Sequence, residues 1–160
     1  MIRLVTQRDI KRITEIYNDY IINTTISFEI KPLTEKEMLN RIESILAHGS
    51  FLVWEEDGEV AGYCYAHPWK ERAAYHNTLE TAIYLAPKYF RKGIGTKLME
   101  QLIIDCRADD KKVLIACITA NNEASIKMHE ALGFKQVSYF LQVGEKFGQS
   151  LDVIDMQLTL

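Results

Sequence analysis

Apolar residues recur every three to four positions over 10–21, where Ile10, Ile13, Ile16, Tyr17, Tyr20 and Ile21 fall on one side of a helix. A short strand, Ile2 to Val5, precedes it, and Thr6-x-x-Asp9 between them has the form of a capping box. Thr34-x-x-Glu37 opens a second helix, with Met38, Leu39, Ile42, Ile45 and Leu46 as its apolar side and Gly49 as its stop. The period then switches to two. Phe51 to Trp54 and Val60 to Tyr65 read as strands joined across Asp57-Gly58, a pair that accepts the positive φ of a tight hairpin. After a loop around Pro68, a third strand runs from Thr78 to Leu85 and stops before Pro87, which cannot donate to a ladder. A helix from Thr96 carries Leu98, Met99, Leu102, Ile103 and Cys106 on one face. A strand from Val113 to Ile118, a helix near Asn122 to Leu132 ended by Gly133, and a hairpin of Gln136 to Val143 and Leu151 to Leu158 complete the chain. The order β α α β β β α β α β β predicts an α/β fold whose mixed, mainly antiparallel central sheet of about seven strands is flanked by about four helices. The strands on either side of the helix at Thr96 are joined by a crossover. With no internal repeat, low-complexity tract or linker, residues 1–160 read as one domain.

Composition narrows the function more than the fold. Nineteen Lys and Arg against 22 Asp and Glu leave a net charge of −3, which argues against a nucleic-acid or anionic-membrane partner, since both need a basic field. No apolar run reaches the length of a bilayer span or a signal-peptide core, so a soluble, cytoplasmic protein is expected. Cys64, Cys106 and Cys117 lack metal or disulfide spacing and read as small apolar core residues. His48, His67, His76 and His129 form no metal-binding pattern, so no metal is expected.

Candidate chemistry concentrates at Gly93-Ile94-Gly95, preceded by Arg91 and Lys92, between a strand and a helix. A helix start leaves backbone N–H groups unpaired, and glycines let that backbone close on a phosphate. The dinucleotide fingerprint fails because Leu98 stands where its third glycine belongs, and the NTPase loop fails because Thr96-Lys97 is in the wrong order. A tight strand-to-helix turn is the plain structural alternative.

Arg-x-Gly-x-Gly between strand and helix, followed by Asn122-x-x-Ser125-x-x-x-His129-Glu130-Ala131-Leu132-Gly133-Phe134, resembles the GCN5-related N-acetyltransferases (GNAT) across the whole chain. The segments Tyr65-Ala66-His67-Pro68-Trp69-Lys70-Glu71-Arg72-Ala73-Ala74-Tyr75 and Thr78-Leu79-Glu80-Thr81 resemble, more narrowly, the phosphinothricin and methionine sulfone acetyltransferase group. The resemblance implies an acetyl-CoA-dependent enzyme that acetylates the primary amine of a small amino acid or analogue. Two other readings stay open: a CoA-binding regulatory domain without turnover, and an acetyltransferase of peptides or proteins.

Residue by residue, the resemblance implies that the CoA diphosphate lies on Arg91, Lys92, Gly93, Ile94, Gly95 and Thr96, and that the pantetheine follows Ile83, Tyr84 and Leu85, with Asn122 and Ser125 nearby. Phe90 departs from the Gln or Arg the family commonly has there. Glu80, in an otherwise apolar run, is either a solvated edge residue or the general base that takes the proton of the acceptor's ammonium. Only the neutral amine attacks a thioester, and at pH 7 its deprotonation costs about 1.4 kcal/mol at a pKa near 8 and about 4.6 at 10.4. Asn122 at a helix start is also a natural N-cap. The wider superfamily places Tyr where His129 stands. The narrower group has His there, which makes His129 the candidate acid for the departing thiolate. Arg72 is the candidate partner for the acceptor's carboxylate, with Phe28, Tyr65, Trp69 and Tyr75 as walls. The family tends to form homodimers, so a homodimer is expected, with the C-terminal strands and the loop near Trp69 close to the partner.

Overall fold

A computed structural model describes residues 1–160. The strands are β1 (Ile2–Leu4), β2 (Phe51–Glu56), β3 (Glu59–Pro68), β4 (Thr78–Leu85), β5 (Val113–Thr119), β6 (Lys135–Lys146) and β7 (Gln149–Thr159). The helices are α1 (Ile10–Asn23), α2 (Glu35–Leu46), α3 (Ile94–Ala108) and α4 (Glu123–Ala131). They build one seven-stranded sheet in the order β1-β2-β3-β4-β5-β7-β6, in which β4 and β5 run parallel and every other neighbouring pair antiparallel. This is the mixed, mainly antiparallel α/β sheet with four helices that the pattern predicts.

Local chemistry sets most boundaries. Glu37 N donates to Thr34 Oγ1 at 3.2 Å while Thr34 N donates to Glu37 Oε2 at 2.7 Å, a reciprocal cap that starts α2. Asp57 and Gly58 both take positive φ, 52° and 78°, the geometry whose twist matches a two-residue hairpin. The α1 apolar positions are all buried, and so are Met38, Ile42 and Ile45 of α2. Leu46, expected on the α2 face, is 45% exposed because the helix ends there. Gly49 does not stop α2 through a left-handed turn. Glycine is needed at this position because a Cβ would collide with the Ala66 carbonyl oxygen. Pro68 is the last residue of β3 rather than part of a loop.

Three further differences bear on the site. Helix α3 starts at Ile94, two residues before the expected Thr96, because Gly93 at φ 74° turns the chain directly into it. Cys117 is exposed, unlike the buried Cys64 and Cys106. Helices α1 and α2 pack over β2–β4, and Cys117 on β5 faces a cavity rather than a closely packed helix. The apolar residues of α4 contribute little to the core. Ala124 and Ala131 are exposed, Met128 and Leu132 half-buried, and His129 is the helix's buried residue.

Candidate active site

Strand β4 pairs with β5 only from Thr78↔Val113 to Thr81↔Ala116, although β4 continues to Leu85 and β5 to Thr119. The two strands therefore part in mid-sheet, and the last residues of β4 lose their ladder partners on that side. Side chains alternate along β4. Glu80 and Tyr84 face α1, where Tyr84 packs edge-on against Tyr17 and Tyr20. Ile83 and Leu85 face α3, where each has a methyl 3.5 Å from the position a Cβ of Gly95 would take.

On the α3 side lies a cavity of about 460 Å³ lined by Ile83, Leu85, Phe90, Arg91, Gly93, Ile94, Gly95, Thr96, Asn122 and Ser125. Tyr20, Ile26, Ala124 and Met128 complete it. Ile94, Gly95 and Thr96 are the first residues of α3, so their amides have no intrahelical acceptor and face a region of positive helix potential. Arg91 sits at φ 61°, a conformation that costs a non-glycine residue roughly 1–2 kcal/mol and that the loop imposes. Asn122 caps α4, its Oδ1 accepting from Ser125 N at 3.3 Å.

A second cavity, of about 240 Å³, opens on the α1 side and is lined by Tyr17, Tyr65, His67, Glu80, Tyr84, Cys117 and His129 among others. The two cavities share Ile26, Ile83, Asn122 and Ser125, so they meet where β4 and β5 part. Glu80 is half-buried in a central strand, which removes the solvated-edge alternative. Burial pushes its carboxyl up from 4.5, and the charge of Asp155 adds to the rise while His67 opposes it. His129 is 3% exposed and packs edge-on against Phe134 at 4.9 Å. Burial pushes its pKa down, while a hydrogen bond to Ser125 works the other way. Its Nδ1 lies 2.8 Å from Ser125 O, and since a carbonyl only accepts, Nδ1 carries the proton and Nε2 is the uncommitted nitrogen.

Not every candidate reaches these cavities. Lys92 lines neither, its ammonium lying 5.0 Å from the Tyr89 ring centroid. Trp69, Arg72 and Tyr75 sit on the β3–β4 connection beyond the sheet end. There Trp69 meets Tyr75 edge-on at 5.3 Å, Lys70 covers Trp69 at 4.1 Å, and Arg72 is exposed. Phe28 packs its ring over Gly144. Of the expected acceptor walls, Tyr65 alone lines the Glu80 cavity. Conversely Tyr17, Tyr20, Ile26, His67, Phe90, Cys117, Ala124 and Met128 line the cavities without having been singled out as ligand contacts. The signal available for His67 was its place in the same hairpin as Glu80, and for Phe90 its adjacency to the glycine loop.

A parallel strand pair that parts beside a glycine-capped helix, with a half-buried carboxylate across the opening, is the framework of an acyl-transfer site. The chain belongs to the acetyltransferase (GNAT) family, whose sequence profile matches residues 13–134. It is 38% identical to a phosphinothricin N-acetyltransferase of Alcaligenes faecalis, over 99% of this chain and 82% of that one. It is 36% identical to an L-methionine sulfoximine/L-methionine sulfone acetyltransferase of Salmonella typhimurium (strain LT2), over 99% of this chain and 94% of that one. Among solved structures, the putative acetyltransferase yncA of Salmonella typhimurium with its cofactor acetyl-CoA superposes with a TM-score of 0.97 at 36% identity, covering 100% of this chain and 93% of that one. No helix of the chain is long and apolar enough to cross a membrane.

Proposed function

We propose that residues 1–160 act as one domain that moves the acetyl group of acetyl-CoA to the primary amine of a small amino acid or analogue, of the phosphinothricin, methionine sulfone or methionine sulfoximine type. The observation that carries this reading is the meeting of the glycine-loop cavity with the Glu80 cavity at the parted strands. The first cavity fits the co-substrate. Its amides suit a diphosphate, its apolar wall of Ile83, Leu85 and Met128 suits a pantetheine arm, and the space beside Gly95 is one a side chain would fill. Acetyl-CoA supplies the thioester carbonyl that the amine attacks.

Glu80 takes the proton of the acceptor's ammonium, directly or through water, and the freed lone pair attacks through the opening. Its raised pKa makes the carboxylate a stronger base than an exposed one. His129 is buried and neutral, so it must first gain a proton through Nε2 before it can pass one to the thiolate. Water shares that role, and His129 contributes less to the rate than Glu80. Arg91, which lines the glycine-loop cavity, supplies side-chain charge there.

Acetyl-CoA as co-substrate and three free thiols argue for action in the cytoplasm. A homodimer is part of the same reading. The outer edge strand β6 exposes Val137, Tyr139, Phe140, Leu141 and Val143, the kind of apolar edge that soluble proteins cover. The decisive experiment is thiol release from acetyl-CoA with a panel of amines: free amino acids, methionine sulfone, phosphinothricin and short peptides. Turnover is expected on the amino-acid analogues. Release with none of the amines would leave a CoA-binding domain, and faster release with peptides would move the acceptor class.

A further inference from the structure

His67 stands directly opposite Glu80 in the β3–β4 ladder, so the two side chains emerge on the same face. Its Nε2 lies 4.0 Å from Glu80 Oε1. Its Nδ1 lies 3.0 Å from Pro68 O. A carbonyl only accepts, so Nδ1 carries a proton, and Nε2, which faces the carboxyl, is the nitrogen that can gain and lose one. Four ångströms is too long for a hydrogen bond in the resting site, but one bridging water or a small side-chain rotation closes it. His67 also lines a further cavity of about 560 Å³, which Glu80 does not line, with Arg41, Ser44, His48 and Tyr65. The imidazole thus joins the acceptor cavity to a second opening.

We infer that His67 is the proton exit of the acceptor site, a positioning residue that empties Glu80 after each deprotonation. This rests on the role proposed above for Glu80. The acceptor's N–H proton passes to a Glu80 oxygen, leaving the amine neutral. The new Glu80 O–H then yields its proton to the Nε2 lone pair, which restores the carboxylate and makes His67 an imidazolium. That cation loses its proton to solvent base through the second cavity. Such an exit is needed because a half-buried carboxyl holds a proton more tightly than an exposed one. The groups facing the pair are Tyr65 on β3, Tyr84 on β4, Cys117 on β5, Asp155 on β7, Tyr17 on α1, His129 on α4, Arg41 on α2 and His48 just after that helix.

The test uses His67→Ala and His67→Gln in the full chain, assayed by thiol release. Both should lose about tenfold or more in kcat at pH 7, with little change in KM for acetyl-CoA, a fraction of the ordinary worth of general acid–base catalysis. Added imidazole should restore His67→Ala in proportion to the concentration of its free base, which a packing defect would not do. Wild-type kcat in the Gln variant, or no response to imidazole, overturns the inference. A second measurement needs no turnover. The ¹⁵N resonances of the His67 ring at pH 7 should change in Glu80→Gln, because Nε2 faces that carboxyl. Unchanged resonances overturn the coupling. Failure of the amine panel with the wild type would instead sink the acetyl-transfer reading.

Discussion

Glu80→Gln replaces the half-buried carboxylate by an amide of the same shape, and burial predicts the sign of two separate effects. Without a base, only acceptor that is already neutral reacts. At pH 7 the neutral fraction is about one in ten for an amine of pKa near 8 and about one in 2,500 for one near 10.4. The variant should therefore lose between about 10-fold and about 2,500-fold in kcat/KM at pH 7, according to the acceptor. Each unit of rising pH should recover about tenfold until the amine itself has titrated. Initial rates of thiol release from pH 6 to pH 10, at saturating acetyl-CoA, give the profile. A loss that stays constant across that range would mean that Glu80 attracts the ammonium and does not deprotonate it. No loss would remove it from the mechanism.

Stability should move the other way. Burial raises the Glu80 carboxyl above 4.5 in the folded chain, the charge of Asp155 adds to this, and His67 only partly offsets it. The native state then binds this proton more tightly than the unfolded state, so stability falls as pH rises through the interval above 4.5. The amide carries no such cost. Glu80→Gln should melt at a higher temperature than wild type at pH 7.5, with the gap closing as the pH is lowered toward 4. A lower melting temperature at pH 7.5 would refute the claim that function holds this charge in an unfavourable place.

Asp9 gives the opposite sign. Burial raises its carboxyl, but hydrogen bonds from Arg3 at 2.7 and 2.8 Å and from Thr6 outweigh this and hold it below 3.8. Asp9→Asn should cost about 3 kcal/mol in urea unfolding at pH 7, less as the pH falls below 4, where the wild-type pair is lost as well. Gly95→Ala should change stability by less than about 1 kcal/mol, because a methyl is good for the helix and Met128 Sδ, 3.2 Å away, can give. The same methyl enters the glycine-loop cavity, so KM for acetyl-CoA should rise several-fold, and an unchanged KM would take the diphosphate away from this loop. Leu141→Arg places a charge in the exposed apolar edge of β6 and should convert a dimer to a monomer in sedimentation velocity. A wild type that already sediments as one chain would end the dimer proposal.

Legibility in the sequence followed the reach of each local signal. β4 has the bounds its alternation predicts, Thr78 to Leu85, because period two and the following Pro87 are both written in the chain. The Asp57-Gly58 hairpin was readable for the same reason. The start of α3 was misplaced by two residues because left-handed Gly93 is a backbone event with no side chain to mark it. Cys117 was misread because alternation says which face a residue takes, not whether a helix covers that face. The His67–Glu80 register was out of reach because residues 69–77 join the two strands irregularly, and only a tight turn fixes register from sequence. Asn122 was legible as an N-cap because its residue type at a helix start marks one.

The parting of β4 and β5 explains why the two halves of the site need opposite faces of one sheet. Both strands run in the same direction, so both helix N-termini, Gly93 before α3 and Asn122 before α4, lie at the same end and surround the opening. That concentrates positive potential at the glycine loop, which favours an anion and opposes an ammonium. Period-two alternation separates them. At position 80 a carboxylate turns away from the glycine-loop cavity toward His67 and Asp155, while at 79 or 81 it would enter the α3 face, where Leu79 is 2% and Thr81 6% exposed. A carboxylate shifted by one residue would therefore be almost fully buried. On the proposed roles, the anion and the ammonium approach from opposite faces through the gap left by the missing ladder bonds, and the end of β4–β5 pairing at Thr81 would then matter to the chemistry as much as Glu80 itself.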